Sequence, residues 1–216
     1  MHAASQVVSF DHSNPNLTPR MINSALPDDI WVFAVAKPYS GFNARKDALS
    51  REYRYFFIPI PDEFSDRYIT HMREASELFI GAHDFTNFAQ LQNDHEADWH
   101  SKTREIKRIK IEKRNLFVVI DIEASGFLRK MVRKIVPALR MVASGIKDKR
   151  WIKALLELQI KEQIEPAPAF GLLLKDVSYR DLKFVEDEYA RRRMETRLKK
   201  DLVFHATMAE VLEDMV

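Results

Sequence analysis

The chain has no cysteine, only five glycines among 216 residues, and no long apolar run. Without thiols there are no disulfides and no thiolate zinc sites, and the composition is compatible with the cytosol. None of the glycines falls in a G-x-x-x-x-G-K-[ST] or G-x-G-x-x-G pattern, so nothing supports a phosphate-cradling loop or a nucleotide cofactor. The longest apolar stretches, 31–36 and 116–120, fall far short of the roughly 20 residues a membrane-spanning helix needs. The opening MHAASQVVSF has no basic segment ahead of an apolar core, and a secretory leader is not expected. A soluble, cytoplasmic protein without membrane contact is the expectation. Its 46% hydrophobic content is enough for one substantial core or two small ones.

What the chain does have is charge, unevenly spread. The net charge of +2 hides 16 Lys or Arg against 5 Asp or Glu between Lys102 and Lys153, leaving 18 basic and 27 acidic residues elsewhere. Such segregation suits a face that binds a polyanion, because each neutralised phosphate releases counterions. The alternative is a set of cations that merely solvate the surface.

Periodicity gives an α+β alternation. Strands are expected at 6–10, 29–36, 53–60 and 172–177, with a short helix within 15–25 announced by Asn-Leu-Thr-Pro-Arg. Helical spacing marks 66–80, 127–144, 151–158 and 186–200. Residues 104–112 and 116–123 alternate as a hairpin joined by Lys113, Arg114 and Asn115, and the one-residue slip at Ile109 suggests a bulge. In 127–144 an apolar stripe of Leu128, Met131, Val132, Ile135, Leu139 and Val142 faces a core, with Arg129, Arg133 and Arg140 together at its edge.

Two stretches carry chemistry. In Arg51-Glu52-Tyr53-Arg54-Tyr55-Phe56 the two-residue strand period puts Arg51, Tyr53, Tyr55 and Phe57 on one face and Glu52, Arg54 and Phe56 on the other. Cations interleaved with rings suit a site that stacks a base and holds phosphate, although aromatic strands also build cores. In Phe127-Leu128-Arg129-Lys130-Met131-Val132-Arg133, an arginine beside an apolar stripe either snorkels to water or, if buried, demands a carboxylate. His95 and His100 are five apart, which misses the i, i+4 spacing of a helical metal pair, and no metal is expected. Asp84, followed by Phe85, reads as a capping or turn residue rather than a catalytic acid.

Six blocks then occur in order: Leu26-Pro27-Asp28-Asp29-Ile30; Phe42-Asn43-Ala44-Arg45; Arg51-x-Tyr53-x-Tyr55; Gly81-x-His83-Asp84-Phe85-x-x-Phe88; Phe127-Leu128-x-x-Met131-Val132-Arg133-x-Ile135-Val136; and Pro166-Ala167-x-x-x-Gly171-Leu172-x-Leu174 with Tyr179. The series resembles the TruA family of tRNA pseudouridine synthases.

The resemblance implies a pseudouridine synthase fold of class α+β, two related mixed or antiparallel sheet-plus-helix halves around a central cleft. On that basis 1–45 is the remnant of the first half, 46–180 the second half, and 181–216 a charged helical extension. It implies isomerisation of uridine to pseudouridine in the anticodon stem-loop of tRNA, with no cofactor, no metal and no small-molecule partner, by an enzyme that is usually a homodimer. Tyr53 matches the family's tyrosine that packs on the flipped uracil, and Arg133 the basic residue that pairs with the nucleophilic Asp. His2, Arg45, Arg51, Lys102 and Arg104 are the expected RNA contacts. In the family a Gly-Arg-Thr-Asp-x-Gly-Val-His-Ala loop carries that Asp, and His2-Ala3 match its end. The expectation is therefore a chain that starts just after the catalytic loop, lacks the nucleophile and is inactive as it stands. A non-catalytic tRNA- or RNA-binding protein, and a structural or interaction protein that uses the aromatic strand as core, are the rival readings.

Overall fold

A computed structural model of the protein describes residues 2–90 and 101–216, the side chain of Asp62 excepted. His95 and His100 lie outside the described residues. The chain divides into two compact units, one of residues 1–8 and 44–180, the other of residues 9–43 and 181–216.

The first unit is built on a six-stranded mixed sheet. In chain order its strands are β1 (His2–Ala3), β3 (Ala48–Phe57), β4 (Gly81–Asp84), β5 (Thr103–Arg114), β6 (Phe117–Ala124) and β7 (Leu172–Tyr179). Their spatial order is β1-β7-β3-β6-β5-β4, with β1 parallel to β7 and every other pair antiparallel. Register lines up Ala3, Leu174, Tyr53, Ile122 and Ile109 across five strands. The hairpin is longer than expected and turns on Asn115 and Leu116 alone, since Arg114 already pairs with Phe117. Asn115 adopts φ 54°, a conformation asparagine tolerates in tight turns. The expected bulge is present. Ile106 opposes Ala124 and Arg108 opposes Glu123, which leaves Lys107 as the extra residue and lets Ile106 and Ile111 both reach the core.

Helices α2 (Asp66–Ser76), α3 (Met131–Ala143) and α4 (Lys149–Leu156) complete this unit. Ser65 caps α2 and Asp148 caps α4, each side chain accepting a backbone N–H of the first turn. Buried Ile69 and Met72 of α2, Ile135 and Leu139 of α3, and Ile152 and Leu155 of α4 join Tyr55, Ile106, Ile120 and Ile122 of the sheet in one core. The expected helix over 127–144 begins only at Met131. Lys130 takes a left-handed conformation, φ 62°, which interrupts the helical path, while Phe127 turns back onto Tyr53. Gly171, at the entry to β7, is a matter of space: a Cβ there would lie 2.5 Å from the Phe56 carbonyl oxygen and 2.9 Å from the Tyr55 ring.

The second unit contains α1 (Pro19–Asn23), capped by Thr18, the two-stranded antiparallel pair β2 (Ala34–Val35) and β8 (Val185–Glu186), and α5 (Glu188–Glu213), capped by Asp187. The start signal at Thr18-Pro19 is used as read. The strand expected over 6–10 does not form, and the one expected over 29–36 is reduced to Ala34–Val35. Val8 and Phe10 stand exposed, so no core holds that stretch extended. At Val32 the Asn23 side-chain amide donates to the backbone carbonyl and accepts its N–H, both at 2.7 Å, replacing a neighbouring strand. No helix among the described residues is long and apolar enough to cross a membrane.

Candidate active site and nucleic-acid interface

Tyr53 lies near the middle of β3, and the strand period aims it to the same side as buried Tyr55. Phe127 meets its ring edge-on with centroids 5.0 Å apart. Burial raises the Tyr53 hydroxyl above its ordinary pKa, and the nearby Arg51 charge opposes that rise. The next residue on this face, Tyr55, donates its hydroxyl to the Pro168 carbonyl at 2.9 Å.

Arg133 sits one turn into α3 and is anchored twice to a single residue. Its Nε donates to the Ala167 carbonyl at 2.5 Å, and its own carbonyl accepts the Ala167 N–H at 2.7 Å. That carbonyl is available because residue 137, four positions on, is a proline inside the helix and has no N–H to close the turn. Among the described residues Arg133 has no carboxylate partner and its two terminal nitrogens make no hydrogen bond, so the outer edge of the guanidinium fork faces away from its anchor. Such an edge matches a carboxylate or phosphate in two-point geometry. Burial raises the Tyr55 hydroxyl pKa, and the charges of Arg133 and Arg140 oppose that rise.

The expected RNA contacts differ in what occupies them. His2 is exposed on edge strand β1, opposite Leu173 of β7. Arg45 is exposed, and its carbonyl accepts a hydrogen bond from Arg51. The Arg51 guanidinium also reaches the Ser125 carbonyl, at 3.4 Å, and so fastens β3 to the end of β6. Lys102 is half-buried, its carbonyl accepting the Phe85 N–H. Arg104 folds back on the Ser101 and Thr103 carbonyls, its side chain against Gly126, and burial lowers its pKa.

Seven of the 16 cations in the basic run are answered by carboxylates, most of them from elsewhere in the chain. Arg108 pairs with Glu52 and Glu123, Lys113 with Asp66, Arg140 with Glu63, Lys147 with Glu162, Lys149 with Glu74, Lys153 with Glu157, and Lys110 with Glu112. Six of those carboxylates lie outside 102–153. Asp84 is a turn residue: its carboxylate accepts the Thr86 N–H at 2.8 Å, two positions on.

Two residues were passed over by sequence reasoning. Lys134 is buried within α3, with its ammonium donating to the Ala89 carbonyl at 2.9 Å, and burial lowers its pKa. Asn87, also buried, donates to the Leu155 and Ile160 carbonyls. A lysine inside an apolar stripe was a visible signal for the first; nothing local marks the second. Among the described residues, no group of three or more His, Cys, Asp or Glu could hold a metal ion.

A family model described as tRNA pseudouridine synthase matches residues 75–180. The tRNA pseudouridine synthase A of Methanocella arvoryzae is 42% identical over 215 residues, covering 99% of this chain and 77% of that protein. The enzyme of the same name from Methanosarcina mazei is 42% identical over 219 residues, covering 100% and 78%, and that of Thermococcus sibiricus 30% identical over 212, covering 98% and 76%. The fold defines an α+β protein built on a mixed sheet, with an arginine anchored in its third helix. The chain belongs to the TruA family of tRNA pseudouridine synthases.

Proposed function

We propose that the protein serves the conversion of uridine to pseudouridine in the anticodon stem-loop of tRNA, with Tyr53 packing on the extruded base and Arg133 pairing with a nucleophilic aspartate. The reaction detaches uracil from ribose, turns it and rejoins it through carbon, which calls for a carboxylate at the sugar or base and for a base taken out of the stack. The observation that carries the reading is Arg133, held at Nε and at its carbonyl while the edge of its guanidinium that fits a carboxylate has no partner among the described residues. An arginine in that position keeps an opposing carboxylate ionised and aimed. For the same reason the 216-residue chain is expected to bind tRNA without turning it over. His2, Arg45, Arg51, Lys102 and Arg104 are proposed to follow the tRNA backbone, Arg51 and Arg104 by rearranging from the carbonyls they now hold. We propose the division 1–45, 46–180 and 181–216 as the functional partition. A cytoplasmic homodimer is the proposed working form, which a monomeric mass in sedimentation equilibrium would overturn.

The test is tritium release from tRNA labelled at uracil C5. The chain alone should release none, and a form extended by the Gly-Arg-Thr-Asp-bearing segment should be active. In the extended form Tyr53→Phe keeps the stacking ring, whereas Tyr53→Ala should lose about 1 to 3 kcal/mol of base stacking and most activity. Equal activity of wild type and Tyr53→Ala would remove Tyr53 from the site. The unpartnered Arg133 also favours a second reading, a non-catalytic tRNA-binding protein, which inactivity of the extended form would select.

A further inference from the structure

The N-terminal half of α5 belongs to neither candidate site, yet it is the most concentrated run of cations in the second unit. Six Lys or Arg fall between Tyr189 and Lys200 against one acid, Glu195. Three of the six are already committed to carboxylates: Arg191 to Glu186 and Glu195, Arg192 to Glu188, and Arg197 to Asp201. Arg193, Lys199 and Lys200 have no carboxylate partner among the described residues, and all three are exposed. At 100° per residue they fall within about 120° of one another, an arc that leaves out buried Ala190 and half-buried Met194. Tyr189 continues this face one turn earlier. The Arg193 guanidinium lies 5.9 Å above its ring and donates to its hydroxyl at 3.3 Å, while Arg20 of α1 covers the same ring at 4.6 Å.

We propose that this face of α5 is a second nucleic-acid contact, in which Arg193, Lys199 and Lys200 neutralise phosphates of the tRNA backbone at a distance along the chain from Tyr53 and Arg133. It rests on the reading that tRNA is the substrate. The three cations span about 10 Å of helix, at 1.5 Å per residue, enough to reach successive phosphates of one strand. The cations that are left unpaired share one exposed face, which Arg192, paired with Glu188, also occupies, while Arg197 at its margin is neutralised by Asp201. That arrangement fits a repeating polyanion better than a single acidic side chain. No base is read here, so the contact adds affinity and orientation without sequence preference. An anionic membrane surface is the rival occupant, because a basic helix with apolar residues farther along can also lie on lipid.

The experiment measures tRNA binding by the 216-residue chain across salt concentrations, for the wild type and for the triple variant Arg193→Gln, Lys199→Gln, Lys200→Gln. A control, Arg192→Gln with Arg197→Gln, removes cations that are already paired. At roughly 0.7 to 0.9 per phosphate contact, the triple variant should reduce the slope of log K against log salt by about 2 to 3 and weaken binding at least tenfold at low salt. The control should change the slope by less than about 1. An unchanged affinity and slope in the triple variant would overturn this inference and leave the proposed function standing. No tRNA binding by the wild type at any salt would overturn both. Loss of binding to phosphatidylserine vesicles by the triple variant, with tRNA affinity intact, would assign the face to a membrane instead.

Discussion

Pro137 has no N–H to give the Arg133 carbonyl, and that missing donor is what admits Ala167. A proline in a helix interior costs about 3 kcal/mol relative to alanine, so its presence in the middle of α3 asks for a compensating contact. Here the freed carbonyl and the Arg133 side chain grip one residue from both sides, which fixes the guanidinium relative to the strand that follows. Pro137→Ala would restore the helical N–H and set it in competition with Ala167 for the same acceptor. The expected outcome is equal or higher thermal stability together with faster hydrogen exchange at the Ala167 amide, by about tenfold for the loss of one hydrogen bond. The Arg133 Nε–H signal in the NMR spectrum should shift or broaden as well. An Ala167 amide as protected as before would show that the segment is held without the proline. This much was half visible beforehand: Arg133 and Pro137 can be read as four apart, whereas Ala167 is 34 residues away and only folding brings it there.

At the level of elements, β3 divides two environments that its alternating sequence already separates. Tyr53 and Tyr55 face the helices, while Glu52 and Arg54 join a lattice of charge across the opposite face. Arg54 makes a two-point pair with Asp121 of β6 at 2.6 and 2.7 Å, and Lys175 of β7 reaches Glu52 at 2.9 Å and Asp121 at 3.6 Å. Burial alone would raise the Asp121 pKa, but the Arg54 hydrogen bonds and charge, helped by Lys175, hold it below the ordinary carboxylate value. A carboxylate depressed in the folded state contributes stability above its unfolded pKa, near 3.9, and loses that contribution as pH falls through the folded value. Denaturant melts should therefore show stability declining below about pH 4, with a shallower decline in Asp121→Asn. At neutral pH the same substitution should cost about 2 to 4 kcal/mol, because it strands a largely buried Arg54; the range allows for that arginine's remaining exposure. A pH profile identical in the two proteins would place the acid sensitivity elsewhere. Periodicity revealed the strand but not the lattice, since pairing partners come from β6 and β7, far along the chain.

Across the whole molecule, the segregated charge of the sequence is reunited in part, with seven of the 16 cations between Lys102 and Lys153 paired with carboxylates among the described residues. The basic run from Lys102 to Lys153 meets Glu52, Glu63, Asp66, Glu74, Glu157 and Glu162, each brought from outside it. Exposed pairs of this kind add little stability, typically about 0 to 1 kcal/mol, but they reduce the cationic surface left for a polyanion. Burial is as unevenly distributed as charge. Residues of β3, β6 and α3 form the core of the first unit, whereas the described residues of α5 beyond Ala190 are half-buried or exposed, including Leu202, Phe204 and Leu212. Amides of β6 and α3 should thus exchange slowest and those of α5 beyond Met194 within the fastest class, by hydrogen-exchange mass spectrometry. Slow exchange across 198–212 in the isolated chain would reveal a covered face, as self-association would produce.

The sequence by itself determined the α+β class, the family, the short helix behind Thr18, the turn at Asp84 and the bulge between Ile106 and Ile109. Each follows from spacing or motif within a few residues, where backbone sterics and local hydrogen bonds act. It overestimated the strands at 6–10 and 29–36 and the start of α3, because apolar content cannot say whether a core exists to bury it, and Lys130 bends the chain where the periodic stripe continues. Tertiary structure alone decided which cations stay unpaired, that Arg133 is anchored by Ala167, that Phe127 closes on Tyr53, and that residues 9–43 pack with 181–216. Those outcomes depend on which distant groups come within about 4 Å of one another, the range over which hydrogen bonds, ion pairs and close packing act.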